Sequence, residues 1–262
     1  MKTRQIINLA TFLIMVAANG LANALPLNGK LTGEISDSFP VLFTPAGYVF
    51  AIWGLIYLLT FGFAIYQALP SQRENPRLES TGYWFAASNL FNTAWIFLWH
   101  YGYFTLTLGA MLGVLVSLLV LYVRLGIGRG RFTLAEKILV NLPFSVYLGW
   151  ISVATVANFS ITLYNLGWNG GGITPAVWTV AMLGVATILG SAMIWLRRDA
   201  AYALVLVWAF AGITVKQADT QIVAFAAAAA AAALLVLLGV RLITRNAERN
   251  GRNTWMDQRL EA

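Results

Sequence analysis

Eight stretches without a single charged side chain divide this chain of 262 residues: 6–25, 46–69, 82–99, 104–123, 138–161, 176–196, 200–215 and 222–240. Seven of them hold 18 to 24 residues, and a helix needs roughly 17–25 residues to cross about 30 Å of hydrocarbon. The connecting segments sort by parity. If the N-terminus is placed inside, fifteen of the seventeen Lys and Arg residues fall on the inner connections, and only Lys30 and Lys216 fall on the outer ones. Cationic loops resist translocation, so the split predicts eight crossings with both termini cytoplasmic. One missed or extra crossing would scramble the sorting. The fold class expected is an all-α integral membrane protein with eight transmembrane helices.

Composition agrees. The chain is 59% hydrophobic and only 10% charged, too little polar surface for a soluble domain. The net charge of +7 is the inner-face bias, so it calls for no nucleic acid; the basic tail at 244–262 is expected to meet anionic membrane lipid. Run 200–215 has 16 residues and is expected to extend through Lys216, whose amine can snorkel to the interface. The start of the chain also fits a cleavable signal peptide, with Lys2 and Arg4 before an apolar stretch and Ala22-Asn23-Ala24 after it. That stretch reaches spanning length, which favours a retained helix.

All ten acids lie outside the apolar runs. A proton-coupled transporter needs an intramembrane carboxylate or imidazole relay, and none is expected here. The lone histidine, His100, reads as a polar residue at the interface, since one His without a nearby acid is a poor metal or acid/base site. No nucleophile triad or zinc spacing is present, so no catalytic residue, no metal site and no enzymatic activity are expected. Asp219, three residues from Lys216, reads as its ion-pair partner. Gly109 and Gly113, and the alanine tract 226–233, read as helix-packing features. What remains in the membrane is aromatic and amide. Trp84, Trp99, Trp178 and Trp195 stand near run ends, as interface anchors do. Trp53, Trp95 and Trp150 lie deeper. Asn92 and Trp95 share a helix face, as do Trp150 and Asn158, and Asn19 with Asn23. A buried amide in lipid must find a partner across helices or on a ligand. Flat aromatic walls with a few orienting amides suit a flat, hydrophobic molecule.

Three segments resemble one family. Thr44-Pro45-Ala46-Gly47-Tyr48-Val49-Phe50-Ala51-Ile52-Trp53-Gly54-Leu55-Ile56-Tyr57 is similar to the second-helix signature of the TspO/MBR family, the tryptophan-rich sensory and translocator proteins. Asn92-Thr93-Ala94-Trp95 resembles its third-helix motif. Trp150-Ile151-Ser152-Val153-Ala154-Thr155-Val156-Ala157-Asn158 resembles its fifth, in the right order. The resemblance implies a five-helix TspO-like membrane domain over 1–161, covered by its first interhelical loop, and frequently a homodimer. It leaves three additional transmembrane helices over 162–243 and the tail over 244–262. It implies a pocket for a porphyrin or other tetrapyrrole, haem included, or for a sterol, with the protein acting as sensor or translocator. Carried onto matching positions, Pro45, Trp53, Asn92, Trp95, Trp150, Ala154 and Asn158 would bind the ligand. The alternative is a permease-like small-molecule transporter completed by the three added helices. The bacterial inner membrane is the expected location.

Overall fold

The structure, a computed structural model, describes residues 1–260, with side chains described through Thr244. Its regular secondary structure is helical throughout the described residues. The long helices are α1 (Thr3–Ala24), α3 (Ile52–Ala68), α5 (Trp84–His100), α6 (Phe104–Arg124), α8 (Leu142–Asn165), α9 (Pro175–Ala192), α10 (Ala200–Lys216) and α11 (Gln221–Leu260). Between them lie three short helices, α2 (Thr32–Asp37), α4 (Pro76–Glu79) and α7 (Leu134–Glu136). Every apolar run of the sequence thus forms one long helix. Among the described residues, six helices are long and apolar enough to cross a membrane. The count of eight expected from the runs is not confirmed: α10 is apolar but has only 17 residues, and α5, also of 17, carries Asn89, Asn92 and His100. α11 also runs on through the segment read as a basic tail, whose side chains beyond Thr244 lie outside the described residues.

Local sequence sets the helix ends. Thr174 accepts a hydrogen bond from the Val177 amide and Pro175 opens α9, a capping arrangement that satisfies otherwise orphaned donors. Pro143 sits inside the rod formed by α7 and α8. It has no amide hydrogen and its ring crowds the carbonyl one turn back, so the helix widens into a π turn over Lys137–Asn141 and continues. A second π turn, Met193–Arg197, ends α9, and Arg198 then adopts a left-handed conformation at φ 56°.

Packing places α8 at the centre, against α3, α6 and α10. α5 and α6 form a tight hairpin about Gly102 (φ 78°), and Gly113 lets α6 approach the Phe91 ring, 2.6 Å from where a Cβ would stand. Gly109 has open space around it, so only one of the two glycines mediates close contact. Ala227 and Leu234 of α11 are buried, and the Leu234 side chain reaches Gly190 of α9. The α1–α3–α5 interface is polar. Gln5 and Gln67 each donate to the other's backbone carbonyl, Asn89 donates to Thr11, and Asn19 donates to Asn92 at 2.8 Å. These amides find partners across helices, whereas the buried Asn8 amide of α1 has none.

Candidate functional site

The first interhelical segment decides the geometry. After α1 the chain makes a turn at 27–29, forms α2, and enters α3 through a 3₁₀ turn, Gly47–Ala51. Pro45 fixes its own φ and biases Thr44 to an extended backbone, so α3 cannot begin earlier. Residues 32–50 lie as a lid across the ends of α3, α5, α6 and α8. Beneath it is a small apolar cavity lined by Thr32, Thr44, Pro45 and Phe50 from the lid, Trp53, Trp95, Trp99 and Met111 from three helices, and Trp150, Ala154 and Asn158 from α8.

Six of the seven residues expected to bind ligand therefore line one cavity. Asn92 does not. Its amide donates to the Tyr147 hydroxyl at 3.0 Å and accepts from Asn19, so it braces α1 and α8 behind the wall. Asn92 and Trp95 share a helix face, yet three residues of helix advance are enough to put one in the wall and the other behind it. Trp99, read from its position near a run end as an interface anchor, is buried, stacks on Trp95 at 5.1 Å, and donates to the Thr32 carbonyl at 3.1 Å. His100 is also buried rather than interfacial. Its Nδ1 must carry the proton, because the Leu27 carbonyl 3.0 Å away can only accept, and its Nε2 meets the Thr32 hydroxyl at 3.0 Å. Trp99 and His100 thus clasp the N-terminal side of the lid. No motif marks that role.

The indole donors are used unequally. Trp95 donates to Asn158 at 3.3 Å, and Asn158 donates to Thr107 at 2.9 Å. Trp150 meets Trp53 and Phe50 edge to face, with ring centroids 6.3 and 5.8 Å away, the arrangement aromatic quadrupoles prefer. Its Nε1–H is buried without a hydrogen-bond partner. Such a group costs roughly 1–3 kcal/mol in a protein interior. The cavity is small, about 50 Å³, against roughly 300–1,000 Å³ for ordinary ligand pockets. The aromatic side chains occupy most of the room between the helices.

The other side of the lid rests on α10. Lys216 pairs with Asp37, not with Asp219, and also donates to Thr44 at 2.9 Å. The Ala46 amide donates to the Gly212 carbonyl, and Trp208 Nε1 donates to the Val49 carbonyl at 3.1 Å. Gly212 is required there: a Cβ would stand 2.1 Å from Val49 Cγ2. Sequence reading placed Lys216 with its nearest acid and treated α9–α11 as an addition. Only the folded chain brings residues 37 and 216 together.

A separate polar site lies toward the other end of α8. Asp199 is buried; it accepts from the Tyr122 and Ser145 hydroxyls at 2.7 and 2.6 Å and caps α10 through the Tyr202 amide. It stands outside every apolar run, so hydropathy alone does not reveal that the fold buries it.

No curated protein and no solved structure matches the chain. A family model described as TSPO-like protein matches residues 5–240. That match continues through α9 and α10 into α11, so these helices lie within the matched unit and are not shown to be additions to it. By this match over most of its length, the chain belongs to the family of TSPO-like membrane proteins.

Proposed function

We propose that this protein binds a flat hydrophobic molecule, of the porphyrin or tetrapyrrole type or a sterol-like one, beneath the lid of residues 32–50. In this reading the chain crosses the membrane eight times, both termini are cytoplasmic, and the lid faces the opposite side. The observation that carries the proposal is the convergence of Trp53, Trp95, Trp99 and Trp150 in one apolar cavity, with the Trp150 Nε1–H buried and unpartnered. Indole faces give dispersion contact to a planar ring system, and the free donor would fix its orientation through an acceptor on the ligand.

At about 50 Å³ the cavity admits a few waters at most. Binding therefore requires the lid to move and the indoles to rotate apart. The lid is held by a few hydrogen bonds and one partly exposed ion pair at Lys216, contacts whose individual worth is small. Lid residues Pro40, Val41 and Leu42 also border a second cavity of about 260 Å³ against Trp168, Gly170 and Trp178. That cavity supplies a route by which a ligand reaches the lid from its other side.

The test is titration of the purified protein with protoporphyrin IX, following tryptophan quenching. Saturable quenching is expected, weakened by Trp53→Ala and by Trp150→Phe. Quenching that does not saturate, or that both variants leave unchanged, rejects the ligand assignment. Flux of the same porphyrin into proteoliposomes then separates a translocator from a sensor, since a sensor moves nothing.

A further inference from the structure

A far larger cavity than the one under the lid lies at the N-terminal end of α8. It is open and measures about 830 Å³. Its walls are the loop between α6 and α7, the first turns of α8, and the α9–α10 turn. Five cations line it: Arg129 and Arg131 from the first loop, Lys137 from the π turn, and Arg197 and Arg198 from the last.

Other cations at this end of the molecule have partners of their own. Arg4 donates to the Thr81 hydroxyl and Arg124 to the Ser80 carbonyl, and three more meet carboxylates. Lys2 binds Glu74 and Glu79, Arg73 approaches Glu74, and Arg77 binds Glu136 at 3.1 Å. Among the described residues, none of the five cavity cations forms a salt bridge. The single acid in the wall, Asp199, is occupied by Tyr122, Ser145 and the Tyr202 amide. Five positive charges around one concavity repel one another, and a concave low-dielectric wall focuses the resulting field on whatever enters.

The site is also built rather than frayed. Gly126 and Gly128 take positive φ values of 63° and 80°, turning the loop back over the helix end. Gly128 lies so close to the α9–α10 turn that a Cβ would stand 2.0 Å from the Arg197 carbonyl oxygen. Arg197 Nη1 donates to the Ile127 carbonyl at 3.3 Å, and its guanidinium lies over the Tyr122 ring. Two loops about seventy positions apart in sequence are thereby locked together, and the left-handed Arg198 directs the chain into α10.

We infer that this cavity is a binding site for a phosphate-bearing group, with Arg129, Arg131, Lys137 and Arg198 as the exposed contacts and Arg197 as the partly buried strut. Guanidinium forks match phosphate oxygens in bidentate pairs. The same chemistry is offered by the headgroup of an anionic phospholipid, which basic clefts between membrane helices recognise, and by a soluble phosphate compound. The inference is independent of what binds beneath the lid.

The experiment uses full-length protein, freed of lipid, and two probes. One is phosphatidylglycerol against phosphatidylcholine in native mass spectrometry; the other is inorganic pyrophosphate in calorimetry. Saturable binding of at least one anionic probe is expected, weakened about tenfold or more in Arg131→Gln/Arg198→Gln, as loss of charge-assisted hydrogen bonds requires. Arg249→Gln/Arg252→Gln removes the same charge near the C-terminus and should leave binding unchanged. Preference for phosphatidylglycerol over phosphatidylcholine identifies the lipid as source, whereas pyrophosphate binding without lipid preference identifies a soluble anion. Failure of both probes overturns the site, as does equal weakening in the two double variants. An unchanged helical circular-dichroism spectrum and melting temperature in detergent verify that Arg131→Gln/Arg198→Gln is folded.

Discussion

α8 runs past two cavities that differ in every respect. Toward its C-terminal half lies a cavity walled by four indoles, and it is nearly closed at about 50 Å³. Toward its N-terminal end lies a cavity walled by five cations, and it stands open at about 830 Å³. The cause is the chemistry of the walls. Apolar aromatic faces attract one another, and nothing resists their collapse into edge-to-face contact. Like charges repel and hold their water, so their cavity stays wide. The size of each cavity therefore follows from the chemistry of its lining.

The largest effect should come from breaking the closed side. Trp150→Ala removes a fully buried indole that meets Trp53 and Phe50, and such a truncation costs about 3–5 kcal/mol. A melting temperature in detergent lowered by ten degrees or more is the expected result. Trp150→Phe sharpens the same point. It deletes the unpartnered Nε1–H together with part of the indole, so the relieved desolvation cost offsets the lost packing and stability should change by about 1 kcal/mol or less while porphyrin affinity falls.

Gly128→Ala attacks the open side through its frame. The new Cβ meets a backbone oxygen that no rotamer change can move, and the residue must keep a positive φ. A loss on the order of 3 kcal/mol is expected from overpacking and left-handed strain together. The calorimetric signal for pyrophosphate should weaken with it, and a variant that melts like wild type would show that the two loops are not locked. Lys216→Met is gentler. It frees Asp37 and Thr44, costs about 1 kcal/mol or less, and should speed amide exchange across residues 32–46 and the onset of porphyrin quenching.

The smallest effect concerns the cations that do have carboxylate partners. The Lys2 ammonium holds the Glu79 carboxyl below its usual range, chiefly by hydrogen bonding. A depressed carboxylate stabilises the fold above its ordinary pKa and loses that contribution as pH falls through the lowered value. The stability difference between wild type and Glu79→Gln should therefore be present at pH 7 and vanish on acidification towards pH 2. A difference that persists there would mean that the Glu79 charge is not its source.

Much of the architecture is legible in the primary structure. Uncharged runs of spanning length can satisfy their backbone only as helices, and each run became one. Trp150 and Asn158 could be paired from helical spacing, which puts them on a common face, and Trp53 and Trp95 stand deep in their runs. Pro45 and Ala154 followed only from the resemblance of their segments to the family's motifs. Asn92 shows the limit, since a shared face does not say which residue fills the wall and which braces it. Trp99, His100 and Lys216 show it too: position near a run end looks the same for a lipid anchor and for a lid clasp.

By itself, then, the sequence determined the helices and their order, which depend on local hydrophobicity, and the family and most of the aromatic wall, which depend on the identity and spacing of residues within short motifs. Tertiary structure alone decided that α10 supports the lid and that Asp199 is buried among hydroxyls. It alone decided that loops near 128 and 197 share one cationic cavity. Those outcomes depend on contacts between residues tens to hundreds of positions apart, and such contacts form only when packed helices bring distant loops within the few ångströms over which hydrogen bonds and steric exclusion act.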